Sequence, residues 1–310
     1  MDRIRPLPVP GRRDDGKALL IALRPSLEAT WALCCGCLAA GSSPWSGATG
    51  FRVLATWLIA DVVLGCVLAQ LLALKRVSLA VNGPTGAAKA SSFAFVIPYA
   101  EPGSPGQRLA EALNGHVAQW KSSIWPRAGR CGVTALVGTG LALVVATYLG
   151  REILATLSGG LLLAATLTVL AGRGTERFTG NSEPVLASWL GGLHLALAWA
   201  LGYLALASWQ GPPMAIAALV GLHAYSSIRL RERQGGPALW LLRATWGILI
   251  LALLMARQPI LAAPVAMGAL AESMSYGPLP RDYDHARPYP SRRGWLLAML
   301  CVSLAVTYWP

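Results

Sequence analysis

The repeated occurrence of long apolar stretches constrains this chain more than any other feature of its sequence. A helix needs about 20 mostly apolar residues to cross the hydrocarbon core of a bilayer, which is roughly 30 Å thick. Nine stretches approach or reach that length and occupy most of the sequence. They are 27–47, 51–74, 131–149, 153–171, 185–208, 211–228, 237–255, 258–274 and 294–309. The pattern predicts an all-α integral membrane protein with about nine transmembrane helices.

The composition favours the same class and argues against a soluble protein. Hydrophobic residues make up 55% of the 310 residues, whereas Asp, Glu, Lys and Arg together make up only 13%. That charged share is about half of what a soluble domain carries. A soluble catalytic domain, a disordered tail and a disulfide scaffold are therefore poor fits. We divide the chain into a polar tail, 1–17, and a single membrane domain, 18–310.

The distribution of Lys and Arg predicts the orientation in the membrane. If the N-terminus is cytoplasmic, the cytoplasmic segments carry 22 of the 26 basic residues, and the opposite side carries only Arg52, Arg151 and Arg257. Cytoplasmic loops of membrane proteins are enriched in Lys and Arg. We therefore expect an inner (plasma) membrane protein with a cytoplasmic N-terminus and its C-terminus on the opposite side. With this orientation, the net charge of +12 reflects the basic residues of the cytoplasmic segments. The expected partner is therefore the bilayer and not a nucleic acid.

The long cytoplasmic loop between the second and third spans, 75–130, contains a helix signal. Ser104, Pro105 and Gln107 form a capping box with proline at the first helical position. Four apolar residues then recur at helical spacing: Leu109, Leu113, Val117 and Trp120. An apolar stripe on an otherwise polar helix predicts an amphipathic helix at about 105–121. This helix would lie on the membrane surface or form a lid over the cytoplasmic end of the bundle.

Cysteine and tryptophan are both interpreted as structural residues. Cys34, Cys35 and Cys37 lie within the first span, and the other three cysteines lie in or beside other spans. Small apolar packing is their expected role, and we assign no metal site. Tryptophans near span ends, among them Trp240 and Trp295, are interpreted as anchors at the membrane interface.

Two ionisable residues lie at membrane depth, where such groups are costly and often functional. Asp61, near the middle of the second span, is a protonated packing residue, a proton-relay group or a partner for Arg243. His194 lies in the fifth span close to Gly191 and Gly192. A histidine beside small residues either bonds to a neighbouring helix or ligates a flat macrocycle such as haem or chlorophyll.

An arginine-rich loop follows the sixth span, at the predicted cytoplasmic end. Its charged residues are Arg229, Arg231, Glu232 and Arg233. Guanidinium groups bind phosphate in a bidentate manner. The loop therefore either holds an anionic ligand or only fixes the orientation of the chain in the membrane. His223 precedes Arg229 by less than two turns. An anionic headgroup would therefore bind best at this end of the bundle.

Several of these features together resemble the UbiA superfamily of intramembrane prenyltransferases. Leu23, Arg24 and Pro25 precede the first span like the Arg-Pro entry of that family, and the loop 75–130 is similar to its cytoplasmic cap. Glycine-rich helices suit its close-packed bundle. The resemblance covers about 18–309. It implies a nine-helix bundle with two Asp-rich motifs, at the cytoplasmic ends of the second and sixth helices, that hold magnesium ions for a prenyl diphosphate.

The chain departs from the family at both of these motifs. There is no Asp or Glu from residue 62 to residue 100, and Glu232 is the only acidic residue between 184 and 271. Hard divalent cations need several carboxylate oxygens. We therefore do not expect a transferase of the usual magnesium-dependent kind. We assign no cofactor. Magnesium would be expected as a cofactor only if the chain were a transferase of the usual form.

Two interpretations remain open. In the first, the chain is a catalytically degenerate UbiA-like protein that binds an isoprenoid lipid, a quinone or a pigment tail, or serves as a subunit of a larger membrane complex. In the second, it is an active prenyltransferase that neutralises the diphosphate with basic residues in place of magnesium. The candidate ligand-binding residues are Gln70, Lys75, His223, Arg229, Arg231, Glu232, Arg233 and Arg243.

Overall fold

The computed structural model describes residues 27–41, 47–81, 125–173, 182–231, 235–275 and 293–307. Within these ranges the backbone is helical apart from short turns, and it contains no β-strand. The all-α prediction is confirmed for this part of the chain. The tail 1–17, the Arg24-Pro25 entry and the predicted helix at 105–121 lie outside the described residues.

The described ranges form nine helices, which we number α1 to α9 in chain order. They are α1 (Leu27–Ala39), α2 (47–81), α3 (Trp125–Leu149), α4 (Arg151–Arg173), α5 (Ser182–Leu204), α6 (Gly211–Arg231), α7 (Gly235–Met255), α8 (Pro259–Ser275) and α9 (Arg293–Thr307). Helix α2 is continuous and consists of Gly47–Trp57, a π-helical segment Leu58–Val63, and Leu64–Val81. Each helix coincides with one of the nine apolar stretches of the sequence.

Five of these helices, α2 to α5 and α7, are long and apolar enough to cross a membrane. Helices α1, α8 and α9 are apolar but shorter. Helix α6 has 21 residues, but its last turns contain polar and basic side chains. The described chain therefore has the features of a multi-pass helical membrane protein.

Several predicted boundaries are wrong by more than a turn. Helix α1 ends at Ala39 and does not continue to 47. Gly41 follows it with a φ of +68° and donates its N–H to Leu38 O at 3.0 Å, which is a left-handed helix stop. Residues 75–81 and 125–130, predicted as the ends of the long loop, are helical.

Consecutive helices pack against one another, and α5 is the most buried of the helices that are long enough to cross a membrane. From α2 to α9 each helix contacts the next, and α9 contacts α1, which closes the bundle. Helix α5 lies in the interior, where it contacts α1, α2, α4 and α6. Its side chains Trp199 and Leu201 are completely buried.

Glycines allow the close contacts of α5 with its neighbours. A Cβ atom at Gly36 of α1 would clash with Trp199 O, and one at Gly202 of α5 would clash with Leu33 O. A Cβ atom at Gly192 of α5 would lie 2.6 Å from Gly221 O of α6. Small residues at helix crossings let two backbones approach in this way. The glycine content of the spans therefore has a packing function at these positions.

The bundle has two chemically different ends. Gly150, 205–210 and 256–258 connect consecutive helices by short turns at one end, which we call the turn end. The other end, to which the segments 82–124, 174–181, 232–234 and 276–292 attach, is the predicted cytoplasmic end. Short connections between contacting helices imply that the helices are antiparallel.

Candidate functional site

A group of buried polar and aromatic side chains lies between the last four helices, toward the predicted cytoplasmic end. It consists of His223 on α6, Thr245 and Trp246 on α7, Glu272 on α8 and Trp295 on α9, and we call it the His223 cluster. Glu272 lies three residues before the end of α8, and Trp295 two residues after the start of α9. The exposed fraction is 1% for His223 and 18% for the Glu272 side chain. Polar groups are thus concentrated inside an otherwise apolar bundle.

The hydrogen bonds of Thr245 define the tautomer of His223. The Thr245 hydroxyl donates to Leu242 O at 2.7 Å, so its oxygen acts as the acceptor for His223 Nδ1, 3.1 Å away. His223 therefore carries a proton on Nδ1, and in the neutral ring Nε2 is a hydrogen-bond acceptor. Nε2 has no hydrogen-bond partner among the described residues. It lies 3.8 Å from Glu272 Oε2, which is beyond hydrogen-bond distance.

Within the described part of the chain, Glu272 is held by the indole group of a tryptophan. Trp246 Nε1 donates to Glu272 Oε2 at 2.5 Å. The same Trp246 ring stands edge-on to His223, with ring centroids 5.4 Å apart and an interplanar angle of 85°. Trp246 therefore contributes both a hydrogen bond to the carboxyl group and a wall of the cluster.

Trp295 covers the opposite face of His223. The two rings are stacked, with centroids 3.4 Å apart and an interplanar angle of 9°. Trp295 is 8% exposed, and its Nε1–H has no acceptor in the described part of the chain. As far as the structure describes the chain, the cluster therefore contains an acceptor on His223 and a donor on Trp295 that have no hydrogen-bond partner.

The arginine-rich loop is described only in part. Arg229 lies in α6, and its Nη1 is buried without a hydrogen-bond partner among the described residues. It follows His223 by six residues, which places the two side chains about 120° apart around the helix. Arg229 is thus near the same end but not on the face of α6 that carries His223. The Arg231 side chain, Glu232 and Arg233 lie outside the described residues.

The other candidate ligand-binding residues are not brought into the cluster. Arg243 is exposed on α7, whereas its neighbours Leu242 and Thr245 are buried, so it faces outward from the bundle. Gln70 is half-buried on α2 and hydrogen-bonds Cys66. The Lys75 side chain lies outside the described residues.

Asp61 belongs to a second polar group, in which α1 and α2 meet. The indole of Trp57 donates to Thr30 Oγ1 at 3.0 Å, and the Thr30 hydroxyl donates to Asp61 Oδ2 at 2.5 Å. Asp61 is 3% exposed. These bonds connect the π-helical segment of α2 to α1.

His194 connects α5 to the same π-helical segment. Its Nε2 lies 2.8 Å from Ala60 O, and because a carbonyl only accepts, Nε2 carries the proton. In the π-helical segment Leu64 N–H bonds to Ile59 O, five residues earlier, so Leu64 is not the donor for Ala60 O. Such π-segments frequently occur at functional sites. Here the segment presents a backbone carbonyl to His194.

The space beside His194 is filled by other helices. A Cβ atom at Gly65 of α2 would lie 3.3 Å from His194 Cε1. A Cβ atom at Gly191 would lie 2.7 Å from Ile228 of α6, and Gly192 contacts Gly221 of α6. The small residues that suggested room for a macrocycle thus serve helix packing. The histidine bonds to a neighbouring helix, which was the other alternative.

The described residues contain no group of three or more His, Cys, Asp and Glu side chains that would hold a metal ion. The His223 cluster has one imidazole and one carboxyl group. Magnesium is usually held by carboxylates together with substrate phosphates and water, at an octahedral site. The cluster is therefore better suited to hydrogen bonding than to metal binding.

Sequence reasoning found only His223 among the members of this cluster. Glu272 is the only acidic residue in the α8 stretch, so the criterion that singled out Asp61 would have found it as well. The prediction that Trp295 is an interface anchor is wrong, because α9 turns this ring inward onto His223. Trp240, by contrast, is 74% exposed, as an anchor would be.

Comparison with known proteins gives no relative for this chain: no family model, curated protein or solved structure matches it. The resemblance to the UbiA superfamily therefore stays a prediction. The chemistry of the site has to be inferred from its own donors and acceptors.

Proposed function

We propose that this chain is a UbiA-like, catalytically degenerate membrane protein that binds the head of a quinone or related isoprenoid lipid at the His223 cluster. The supporting observation is that the acceptor Nε2 of His223 and the donor Nε1–H of the stacked Trp295 are both buried without a hydrogen-bond partner among the described residues. A buried polar group without a partner costs about 1–3 kcal/mol. A ligand that pairs with both groups removes that cost.

The donors and acceptors of the cluster favour a quinone head over a diphosphate. A carbonyl oxygen accepts from Trp295 Nε1–H, and a hydroxyl donates to His223 Nε2. The reduced form of a quinone meets both needs, because each of its hydroxyls can accept one hydrogen bond and donate another, whereas the oxidised form offers only carbonyl acceptors. A diphosphate needs cations, whereas the five members of the cluster include a carboxyl group and no Lys or Arg. The flat indole rings of Trp246 and Trp295 also suit an aromatic ligand.

Quinone binding is testable because two tryptophans belong to the cluster. We expect a short-chain ubiquinol, the reduced form whose hydroxyl can donate to His223 Nε2, to quench the intrinsic tryptophan fluorescence of the purified chain in a saturable manner. The variant His223→Phe keeps a ring against Trp295 and leaves the Thr245–Leu242 bond in place, but it removes both nitrogens. It should weaken binding by about tenfold, as expected for the loss of one buried hydrogen bond.

Trp199→Phe is the matched control for this experiment. Trp199 is also buried, but it lies on α5, five residues before the turn end of that helix, and its indole N–H is already paired with Ser303 Oγ at 3.2 Å. Its replacement should leave quinone affinity unchanged. Quenching that does not saturate in the wild type, or equal affinities of wild type and His223→Phe, would contradict the proposal.

The runner-up function is prenyl transfer from a prenyl diphosphate to an aromatic or other acceptor, with arginine in place of magnesium. The observation that favours it is the buried Nη1 of Arg229, which has no hydrogen-bond partner among the described residues. An active transferase should release diphosphate from geranylgeranyl diphosphate. Arg229→Gln should abolish that release, and the outward-facing Arg243→Gln should not. No release, with or without magnesium, would exclude this function.

A further inference from the structure

A long apolar groove runs along the outside of the bundle between α2 and α3, and we call it the α2–α3 groove. It has a volume of about 390 Å³, and all its lining residues are apolar. They are Phe51, Leu54, Ala55, Leu58, Ile59, Val62, Val63, Leu141, Ala142 and Val145. From Phe51 to Val63 the groove follows α2 for about 18 Å. It therefore extends from the turn end across about half of the roughly 30 Å hydrocarbon core, which is the depth of one leaflet.

A second cavity, of about 370 Å³, lies at the turn end, and we call it the turn-end pocket. Its charged lining residues are Arg52, Arg151 and Glu152. Arg52 donates to Leu149 O at 2.8 Å. Glu152 accepts the backbone N–H of Trp209 at 2.8 Å. The pocket therefore has an excess of positive charge, and its carboxylate already has a backbone partner.

The groove and the pocket adjoin each other between the same two helices. Ala55 lines the groove one turn from Arg52, and Val145 lines it one turn from Leu149. The hydrogen bond from Arg52 to Leu149 O crosses from α2 to the end of α3 at this point. The apolar groove thus ends beside a guanidinium group.

Basic residues on this side of the protein are few. Only three occur on the side opposite the predicted cytoplasmic end, and Arg52 and Arg151 both line the turn-end pocket. Arg257, the third, lies at the turn between α7 and α8. Two arginines at the end of an apolar groove complement a molecule with an anionic head and a long apolar chain.

We propose that the α2–α3 groove and the turn-end pocket together bind one anionic phospholipid from the leaflet at the turn end. One acyl chain lies in the groove, and the phosphate lies beside Arg52 and Arg151. The charge of the pocket selects an anionic over a zwitterionic head. This lipid site lies at the opposite end of the bundle from the His223 cluster and does not depend on the function proposed for it.

Native mass spectrometry of the full chain tests the head-group preference. The chain is extracted from vesicles of phosphatidylcholine that contain a minority of phosphatidylglycerol, and retained lipids are identified. We expect preferential retention of one phosphatidylglycerol. Arg151→Gln should lower that retention about fivefold, the equivalent of about 1 kcal/mol for one basic group near an anionic lipid. Arg257→Gln, outside the pocket, is the matched control and should retain the lipid.

A substitution in the groove tests the position of the acyl chain. Leu141 is half-exposed and lines the groove, whereas Leu136 is exposed on the same helix and is not among its lining residues. Leu141→Trp should fill the groove and reduce retention, and Leu136→Trp should not. Excess glycerol phosphate should displace the lipid only weakly, because it has no acyl chain.

Three results would overturn this proposal. The first is equal retention of phosphatidylcholine and phosphatidylglycerol by the wild type. The second is an equal effect of Arg151→Gln and Arg257→Gln. The third is full displacement by glycerol phosphate, which would indicate a simple anion site. None of them bears on quinone binding at the His223 cluster, so failure of one proposal is distinguishable from failure of the other.

Discussion

At the scale of single residues, one arginine adopts a backbone conformation that normally favours glycine. Arg257 follows α7 with a φ of +56°. Its N–H bonds to Leu254 O at 3.0 Å, and the N–H of Gln258 bonds to Leu253 O at 2.9 Å. These two bonds are those of a Schellman motif with Arg257 at the left-handed position. A non-glycine residue there is strained.

We therefore expect Arg257→Gly to stabilise the protein by about 1 kcal/mol, because glycine adopts this conformation without a steric penalty. The measurement is the midpoint of thermal unfolding in detergent. Unfolding is monitored as the loss of the monodisperse peak in size-exclusion chromatography. Arg257→Ala is the control, since it removes the same side chain but keeps a Cβ atom. Equal midpoints for the glycine and alanine variants would show that the backbone strain has no measurable effect.

At the scale of helices, the contact of α1 with α5 depends on glycine. A Cβ atom at Gly36 would meet the backbone of α5, whereas one at Gly140 of α3 would have no heavy atom within 4 Å. Gly36→Ala should therefore separate α1 from α5 and lower the yield of folded protein severely. Gly140→Ala should be neutral or stabilising by up to about 1 kcal/mol, since alanine favours a helix over glycine. Purification yield and thermal midpoint distinguish the two, and equal tolerance of both would contradict the described packing.

The helices themselves were largely predictable, because an apolar stretch of bilayer length leaves the backbone few alternatives to a helix. The end of α1 was not predictable from hydropathy, because it depends on the left-handed backbone of Gly41. The His223 cluster was predictable only in part. His223 and Glu272 are 49 residues apart, and they meet only through the packing of α6, α7 and α8. A sequence pattern within one helix does not predict which residues of other helices its side chains will contact.

At the scale of the whole molecule, orientation determines what the two ends of the bundle contact. The turn end would face away from the cytoplasm because it has three basic residues against 22 on the other side. The His223 cluster would then receive its ligand from the cytoplasmic leaflet, and the turn-end pocket would contact lipids of the opposite leaflet. The distribution of basic residues therefore predicts which leaflet supplies each of the two proposed ligands.

Cysteine labelling in intact cells tests this orientation. In a variant whose six native cysteines are replaced by Ala or Ser, Ser208→Cys places a thiol in the turn between α5 and α6. Ser291→Cys places one before α9, in a segment predicted to be cytoplasmic. A membrane-impermeant maleimide should label Ser208→Cys in intact cells and Ser291→Cys only after permeabilisation. The reverse pattern would invert the topology, and the lipid in the α2–α3 groove would then have to come from the cytoplasmic leaflet.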